Sequence, residues 1–299
     1  MAALQSLFVN MFEQGLLFAF LGFGVLITFR FFRFPDLTAE GSYPLGGAVA
    51  ATLLVGGVNP FLATAAAALA GATAGIATAL VHTKFRINNI IAGIVVMTAL
   101  YTVNLRVMGR ANLSLLAAPS IFEDEAKALN VLGLPVRDGA AMTIAVTAVL
   151  VAFGAVALAW FMRTDLGLAV RATGENETMI RSLGVNTDTT KIIGLALSNA
   201  AIALSGALVA QNHGFADIGM GIGILVTGAA AVLIGQAIFG DGSIGRWIVA
   251  ALVGVLIYRL LVAAALRVGM QPVDLKLITA VLLLAALALP QMRPRLFGH

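Results

Sequence analysis

Residues 139–162 read GAAMTIAVTAVLVAFGAVALAWFM, a run without one charged side chain, and Arg163-Thr164-Asp165 follows at once. About 20 consecutive apolar residues are what an α-helix needs to cross the hydrocarbon of a bilayer. A helix also satisfies every backbone N–H and C=O internally, which lipid demands. The run therefore predicts a membrane-spanning helix that ends where the charges begin. Working outward, comparable runs lie at about 15–31, 44–58, 61–82, 88–106, 191–211, 221–239, 246–266 and 275–290. Together they predict an all-α, polytopic integral membrane protein with about 8–9 transmembrane helices, some of them broken, forming one transmembrane domain over residues 1–299.

Composition agrees. Of 299 residues, 60% are hydrophobic and 11% charged, and mean hydropathy is +1.00. A soluble domain carries about 25% charged residues, so a soluble enzyme of ordinary composition is excluded. There is no Cys, which excludes disulfides, thiolate metal sites and Cys nucleophiles. The three His, at 82, 213 and 299, are scattered, so neither a metal centre nor an integral membrane enzyme's cluster of His and carboxylates is expected. The first apolar run lacks a basic flank and a small-residue cleavage site, so it is read as a retained span rather than a signal peptide. Asn59-Pro60 and Gly240-Asp241-Gly242-Ser243 mark turns between spans, and Pro290 and Pro294 are expected to end the last helix.

Lys and Arg set orientation, because they accumulate in cytoplasmic loops. With the polar loop 163–190 inside, alternation places Arg30, Arg33, Lys84, Arg86, Arg163, Arg171, Arg181, Lys191, Arg246, Arg293 and Arg295 inside. Arg106, Arg110, Lys127, Arg137, Arg267 and Lys276 fall outside, in company with Glu123, Asp124, Glu125 and Asp138, and Arg259 falls within a span. This predicts an N-terminus outside and a C-terminus in the cytoplasm. The net charge of +4 reflects that asymmetry and not a nucleic-acid partner.

Asp36-Leu37 and Asp217-Ile218 each open a Gly-rich stretch that feeds an Ala-rich helix. Gly47-Ala48-Val49-Ala50 then lies over Gly228-Ala229-Ala230-Ala231, and Ala68-Leu69-Ala70-Gly71 lies over Ala251-Leu252-Val253-Gly254. The two copies, about 35–106 and 216–290, would enter the membrane from opposite sides as inverted repeats, a transporter plan with a central substrate path. Chance alignment of Ala and Gly is the competing explanation. Gly71-Ala72-Thr73-Ala74-Gly75 is a GxxxG pattern, suited to close helix packing in lipid.

Four segments interrupt the apolar pattern. Between Phe34 and Gly47, Asp36, Thr38, Glu40 and Ser42 stand beside Pro35 and Pro44. This is either a plain solvated hairpin or a broken helix lining a solute path, tolerated at depth only where protein or water satisfies its backbone. Gln211-Asn212-His213 begins a stretch, through Asp217 to Gly223, too rich in Gly for a stable helix, which would suit the outer mouth of that path. Polar residues inside spans include Asn88, Asn89, Thr98, Asn104, Ser198, Asn199 and Ser205; interhelical bonding is their ordinary role, and Thr98 and Asn199, which lie deepest, are the better candidates for facing a solute. In the loop 163–190, Asn176 to Leu183 reads as a short helix. Gly174 precedes it, Glu175 and Glu177 favour its start, Arg181 its end, and Gly184 stops it. Met179, Ile180 and Leu183 give it an apolar ridge suited to lipid or to a partner's groove.

These residues resemble the permease subunits of ATP-binding-cassette importers, in the branched-chain amino acid and ribose-type permease family. Pro35-Asp36-Leu37-Thr38-Ala39-Glu40-Gly41-Ser42 is similar to that family's early Asp-Leu-(Ser/Thr)-x-x-Gly segment. Arg171-Ala172-Thr173-Gly174-Glu175-Asn176 through Leu183-Gly184-Val185-Asn186 is similar to its cytoplasmic coupling loop, and Leu197 to Leu208 follows as its next span does. Wording at Asp36–Ser42 is closest to permeases for amino-acid-like solutes. The resemblance implies a multi-pass inner-membrane protein, a homodimer or heterodimer of permeases, a cytoplasmic ATPase and an extracytoplasmic solute-binding protein. It also implies that the helix over 176–183 inserts into a groove on the ATPase. Ribose-type relatives usually have an extra N-terminal span, for which this chain starts too close to its first run. The chain has no Gly-x-x-x-x-Gly-Lys-(Ser/Thr) loop, so ATP would be bound by the partner, and no cofactor is expected here. An ion-coupled secondary transporter, using Asp36, Glu40 or Asp217, is the alternative.

Overall fold

The computed structural model describes residues 2–122, 139–240, 242–271 and 274–296. Glu123, Asp124, Glu125, Lys127, Arg137 and Asp138 lie outside the described residues. The described chain is almost wholly helical. Its α-helices are α1 (Ala2–Leu17), α2 (Ala19–Leu26), α3 (Ala39–Val55), α4 (Pro60–Phe85), α5 (Asn89–Met108), α6 (Gly139–Phe161), α7 (Asp165–Glu175), α8 (Glu177–Ser182), α9 (Thr187–His213), α10 (Ile224–Phe239), α11 (Ile244–Arg267) and α12 (Leu275–Leu296). A π-helical turn, Ile27–Phe31, continues α2, and a 3-10 turn, Ile218–Gly221, precedes α10. Two three-residue strands, β1 (Asn112–Ser114) and β2 (Phe215–Asp217), pair antiparallel with Asn112 opposite Asp217.

Every apolar run of the sequence meets a helix. Six helices among the described residues are long and apolar enough to cross a membrane, and a seventh crossing results if α1, α2 and the π turn count as one span bent by 43°. The estimate of 8–9 counts runs. One of them is short: α3 has 17 residues with Pro44 inside it, while the last run, 275–290, lies within α12. Helix α3 is short because the chain before it, 32–38, is not helical. Helix α12 runs past Pro290 and Pro294 to Leu296, contrary to the expected stop. The first span begins earlier than its hydropathy, since α1 starts at Ala2.

Helix α9 is the axis of packing, with α2, α3 and α4 against it. The GxxxG of α4 faces it: a Cβ on Gly75 would collide with the Leu195 carbonyl, and one on Gly71 with the Asn199 carbonyl and Ala203. Only glycine permits that approach, which in lipid supplies the dispersion contact that hydrophobicity cannot. On the other side, Ser198 Oγ donates to the Gly24 carbonyl at 2.9 Å and Ser205 Oγ to that of Leu17 at 2.8 Å. The in-span serines thus bond helix to helix. Residues 30–34, 82–87, 165–191 and 243–247 gather at one end, as Arg30 over Trp247, Arg33 with Glu175, and Lys191 with His82 record. The other end holds β1 and β2, and there Thr52 Oγ1 donates to the Val107 carbonyl at 3.0 Å and Leu115 N–H to that of Gly214.

Candidate translocation and coupling sites

The break at 32–38 follows from its residues. Pro35 lacks an N–H and disfavours helical backbone at Phe34. Arg33 adopts φ +50°, and the Asp36 carboxyl accepts from the Thr38 N–H at 2.9 Å, starting a new turn into α3. This is not a solvated hairpin: Asp36 is 1% exposed, and Thr38 and Ser42 are fully buried. Asn199 reaches across from α9, its amide donating to Asp36 Oδ2 at 2.6 Å and to the Leu195 carbonyl at 3.0 Å, while its Oδ1 accepts from Ser42 Oγ at 2.7 Å. The Thr38 hydroxyl lies 2.6 Å from that of Thr78 on α4. A closed knot of polar groups therefore joins the break to α4 and α9. Both ends of the Asn199 amide are engaged within this knot.

Glu40 and Thr98 stand elsewhere. They border a cavity of about 270 Å³ between the first turns of α3, the second half of α5 and the 3-10 turn, with Met97, Tyr101, Asn104 and Ile222 on its walls. Thr98 is exposed there, its hydroxyl donating to the Ile94 carbonyl. Glu40 Oε1 accepts from the Gly223 N–H at 3.2 Å. The 3-10 turn lies close on α3, since a Cβ on Gly221 would collide with the Glu40 carbonyl. Asn104 is 1% exposed; its Nδ2 donates to the Gly41 carbonyl at 3.1 Å, and its Oδ1 accepts no hydrogen bond from a described residue.

Asp217 repeats Asp36's local role. Its Oδ1 accepts from the Gly219 N–H at 2.7 Å, and Asn112 donates to its Oδ2 at 3.2 Å. It therefore starts the 3-10 turn and anchors the strand pair. The stretch after Gln211 is thus ordered by a helix end, with Gly214 at φ +75°, a strand and a short turn. Asn212 and His213 border a second cavity of about 210 Å³ at that end. Gln211 is buried and bridges Ile121 N–H and the Thr64 hydroxyl.

The loop 163–190 is two helices, not one. Gly174 lies inside α7, where a Cβ would meet the Phe32 carbonyl at 2.6 Å, so it packs the module onto the break rather than preceding a helix. Asn176 caps α8, accepting from the Met179 N–H at 3.0 Å, and Gly184, at φ +85°, ends it as expected. Glu177 and Arg181 face α9. Lys191 Nζ lies 2.8 Å from Glu177 Oε1 and 3.2 Å from His82 Nε2, and Arg181 reaches Thr187, Glu177 and Asp188. Glu175, more exposed, pairs with Arg33 at 2.9 Å. Partial burial pushes the Glu177 carboxyl up, but hydrogen bonding and charge from Lys191, with Thr187 and Arg181, hold it below the ordinary carboxylate range. Of the apolar ridge, Ile180 is buried, whereas Met179 and Leu183 are exposed, joined by Leu166 and Leu168 on α7.

The sequence missed Thr78, Lys191 and His82, which look like ordinary helix residues until three helices meet. It also missed the support for Arg259, whose guanidinium stacks 3.4 Å from the Phe18 ring centre. Aromatic faces attract cations electrostatically.

A family model described as the branched-chain amino acid transport system permease component matches residues 7–287. The chain belongs to that permease family. It is 39% identical over 280 residues to a tyrosine transport system permease protein of Clostridioides difficile, spanning 94% of this chain and 90% of that protein. It is 33% identical over 289 residues to an uncharacterised protein of Rickettsia prowazekii, spanning 95% and 98%. The ribose import permease of Escherichia coli is more distant, 29% identical over 254 residues, spanning 84% of this chain and 75% of that one. No solved structure matches the chain. The permease is thus a multi-pass transport protein, and its named relatives are permeases rather than enzymes.

Proposed function

We propose that this permease is the non-enzymatic membrane subunit of an ATP-driven importer for an amino-acid-like solute in the inner membrane. A cytoplasmic ATPase docks on α7 and α8, a solute-binding protein delivers to the opposite end, and a second permease, identical or paralogous, completes the path. The observation that carries this reading is the exposed ridge of Leu166, Leu168, Met179 and Leu183 on a module locked to α9 by Glu177–Lys191. Arg30, Arg33, Lys84, Arg86, Arg163, Arg171 and Arg246 belong to the same end of the chain's spans, which supports placing it in the cytoplasm, with the N-terminus outside and the C-terminus inside.

A force on α8 has a continuous route. It passes through Lys191 into α9, along two turns of helix to Asn199, across to Asp36, and so to the first turn of α3, where Glu40 and Gly41 form the cavity wall. The ATPase drives the change by binding the two arrangements with different affinity. The inverted-repeat plan draws support from Asp36 and Asp217. Each accepts from the N–H two residues on, ahead of α3 and α10 respectively. In the ion-coupled alternative Asp36, Glu40 or Asp217 would carry the ion, yet Asp36 and Asp217 are engaged in holding backbone and Glu40 gives one oxygen to the Gly223 N–H.

The test pairs Met179→Asp with Leu183→Asp in the full chain and follows ATPase co-purification and uptake of labelled L-tyrosine. Loss of both, with insertion intact, is expected. Retained ATPase binding, or uptake driven by an ion gradient alone, would overturn the reading.

A further inference from the structure

We propose that Glu40 and Asn104 form an acceptor subsite that binds the protonated amino group of the solute. The inference rests on the importer reading and adds the chemistry by which the path recognises its cargo. Asn104 is 1% exposed and borders the 270 Å³ cavity, yet its Oδ1 accepts no hydrogen bond from a described residue, while its Nδ2 is occupied by the Gly41 carbonyl. A buried acceptor without a donor is disfavoured, and native proteins keep one mainly where a ligand or water completes it. The Nδ2 bond also fixes which way the amide points. Glu40, the residue before Gly41, brings a carboxylate to the same cavity. One of its oxygens takes the Gly223 N–H; Lys276 acts on it electrostatically, without forming an ion pair.

The Glu40 carboxylate and Asn104 Oδ1 both only accept, one charged and one neutral, and the hydroxyls of Thr98, which donates to the Ile94 carbonyl, and Tyr101 stand on the same wall. An ammonium, with three donors and no acceptor, is the complement of the two acceptors. A carboxylate would face repulsion there. Met97, Pro44, Ile218, Ile222 and the Tyr101 ring make much of the remaining wall apolar, which suits an apolar or aromatic side chain beside the amine. Asp36, though acidic, cannot serve: both its oxygens are engaged by Thr38 and Asn199 away from this cavity.

Saturation-transfer NMR on the purified full chain in micelles tests this with three probes: L-tyrosine, tyramine, which keeps the amine without the carboxylate, and 3-(4-hydroxyphenyl)propionate, which lacks the amine. The first two are expected to bind at least about tenfold more tightly than the third, the scale of a charge-assisted hydrogen bond. E40Q, which still presents an oxygen to Gly223, and N104L should each remove that preference. N104D, which adds a charge at the same point, should tighten tyramine binding and serves where N104L fails to fold. Equal binding of all three probes, no binding by any, or an amine preference that survives E40Q and N104D unchanged would overturn the subsite. Failure of the importer reading looks different: amine selectivity would persist while ATP-dependent uptake by the reconstituted assembly is absent.

Discussion

Replacing Asn199 with Leu tests whether the buried knot is what joins α9 to the break before α3. The substitution removes the donor to Asp36 and the acceptor for Ser42, and both stranded groups are essentially inaccessible to water. A buried polar group left without its partner costs about 1–3 kcal/mol. Hydrogen bonds between membrane helices average only about 0.6 kcal/mol in double-mutant cycles, because the unfolded chain in the membrane also finds partners. With two groups stranded at once, the expected loss lies at about 2–4 kcal/mol. Unfolding in mixed micelles under increasing denaturing detergent reads it directly. Adding Asp36→Leu removes one stranded group, so the double variant should be less destabilised than the two single effects combined, by at least about 1 kcal/mol. Uptake should fall in both single variants, since the same contact lies on the route from α8 to the cavity. Additive effects, or an Asn199→Leu loss below about 0.5 kcal/mol, would refute the reasoning.

Two further outcomes are expected. Because the Glu177 carboxyl is held below its unfolded-state value, the latch to Lys191 contributes stability in full above about pH 4.3 and loses it as pH falls through the lower folded value. The gain is small, since Glu177 is half-exposed and screened; hydrogen exchange of the α8 amides should rise over that acid window in the wild type and show no such step in Glu177→Gln. Gly75→Ala places a methyl on the Leu195 carbonyl and should destabilise by roughly 1–3 kcal/mol, whereas Gly245→Ala, where a Cβ meets nothing within 4 Å, should be neutral or slightly stabilising in the same unfolding assay.

The parts of this molecule that were legible in advance share one property: they depend on near neighbours. Helix α6 is announced by its own unbroken apolar run, and the break before α3 by Pro35. Gly184 ends α8 because only its left-handed backbone suits that stop. What misled was also local. The polarity of 163–190 suggested a loop with one helix, yet α7 buries Gly167, Val170 and Thr173 at helical spacing against neighbours that are distant in sequence. Depth along a span suggested Thr98 and Asn199 as equivalent, and they are opposites: one borders a cavity, the other is tied into a closed network.

Sequence alone determined that the chain is a bundle of membrane helices, that the chain breaks at Pro35, and which polar segments have to be explained. Those follow from transfer of apolar side chains to lipid and from backbone bonding within a helix, both settled over 20 residues or fewer. Tertiary structure decided which polar groups satisfy one another. Ser42 and Asn199 are 157 residues apart and Asp36 and Asn199 163, and nothing along the chain states their pairing. Only when α3, α5 and α9 pack does Asn199 find Asp36 and Ser42 and Asn104 keep one acceptor free, because a hydrogen bond between helices is decided by ångströms and not by the residues on either side.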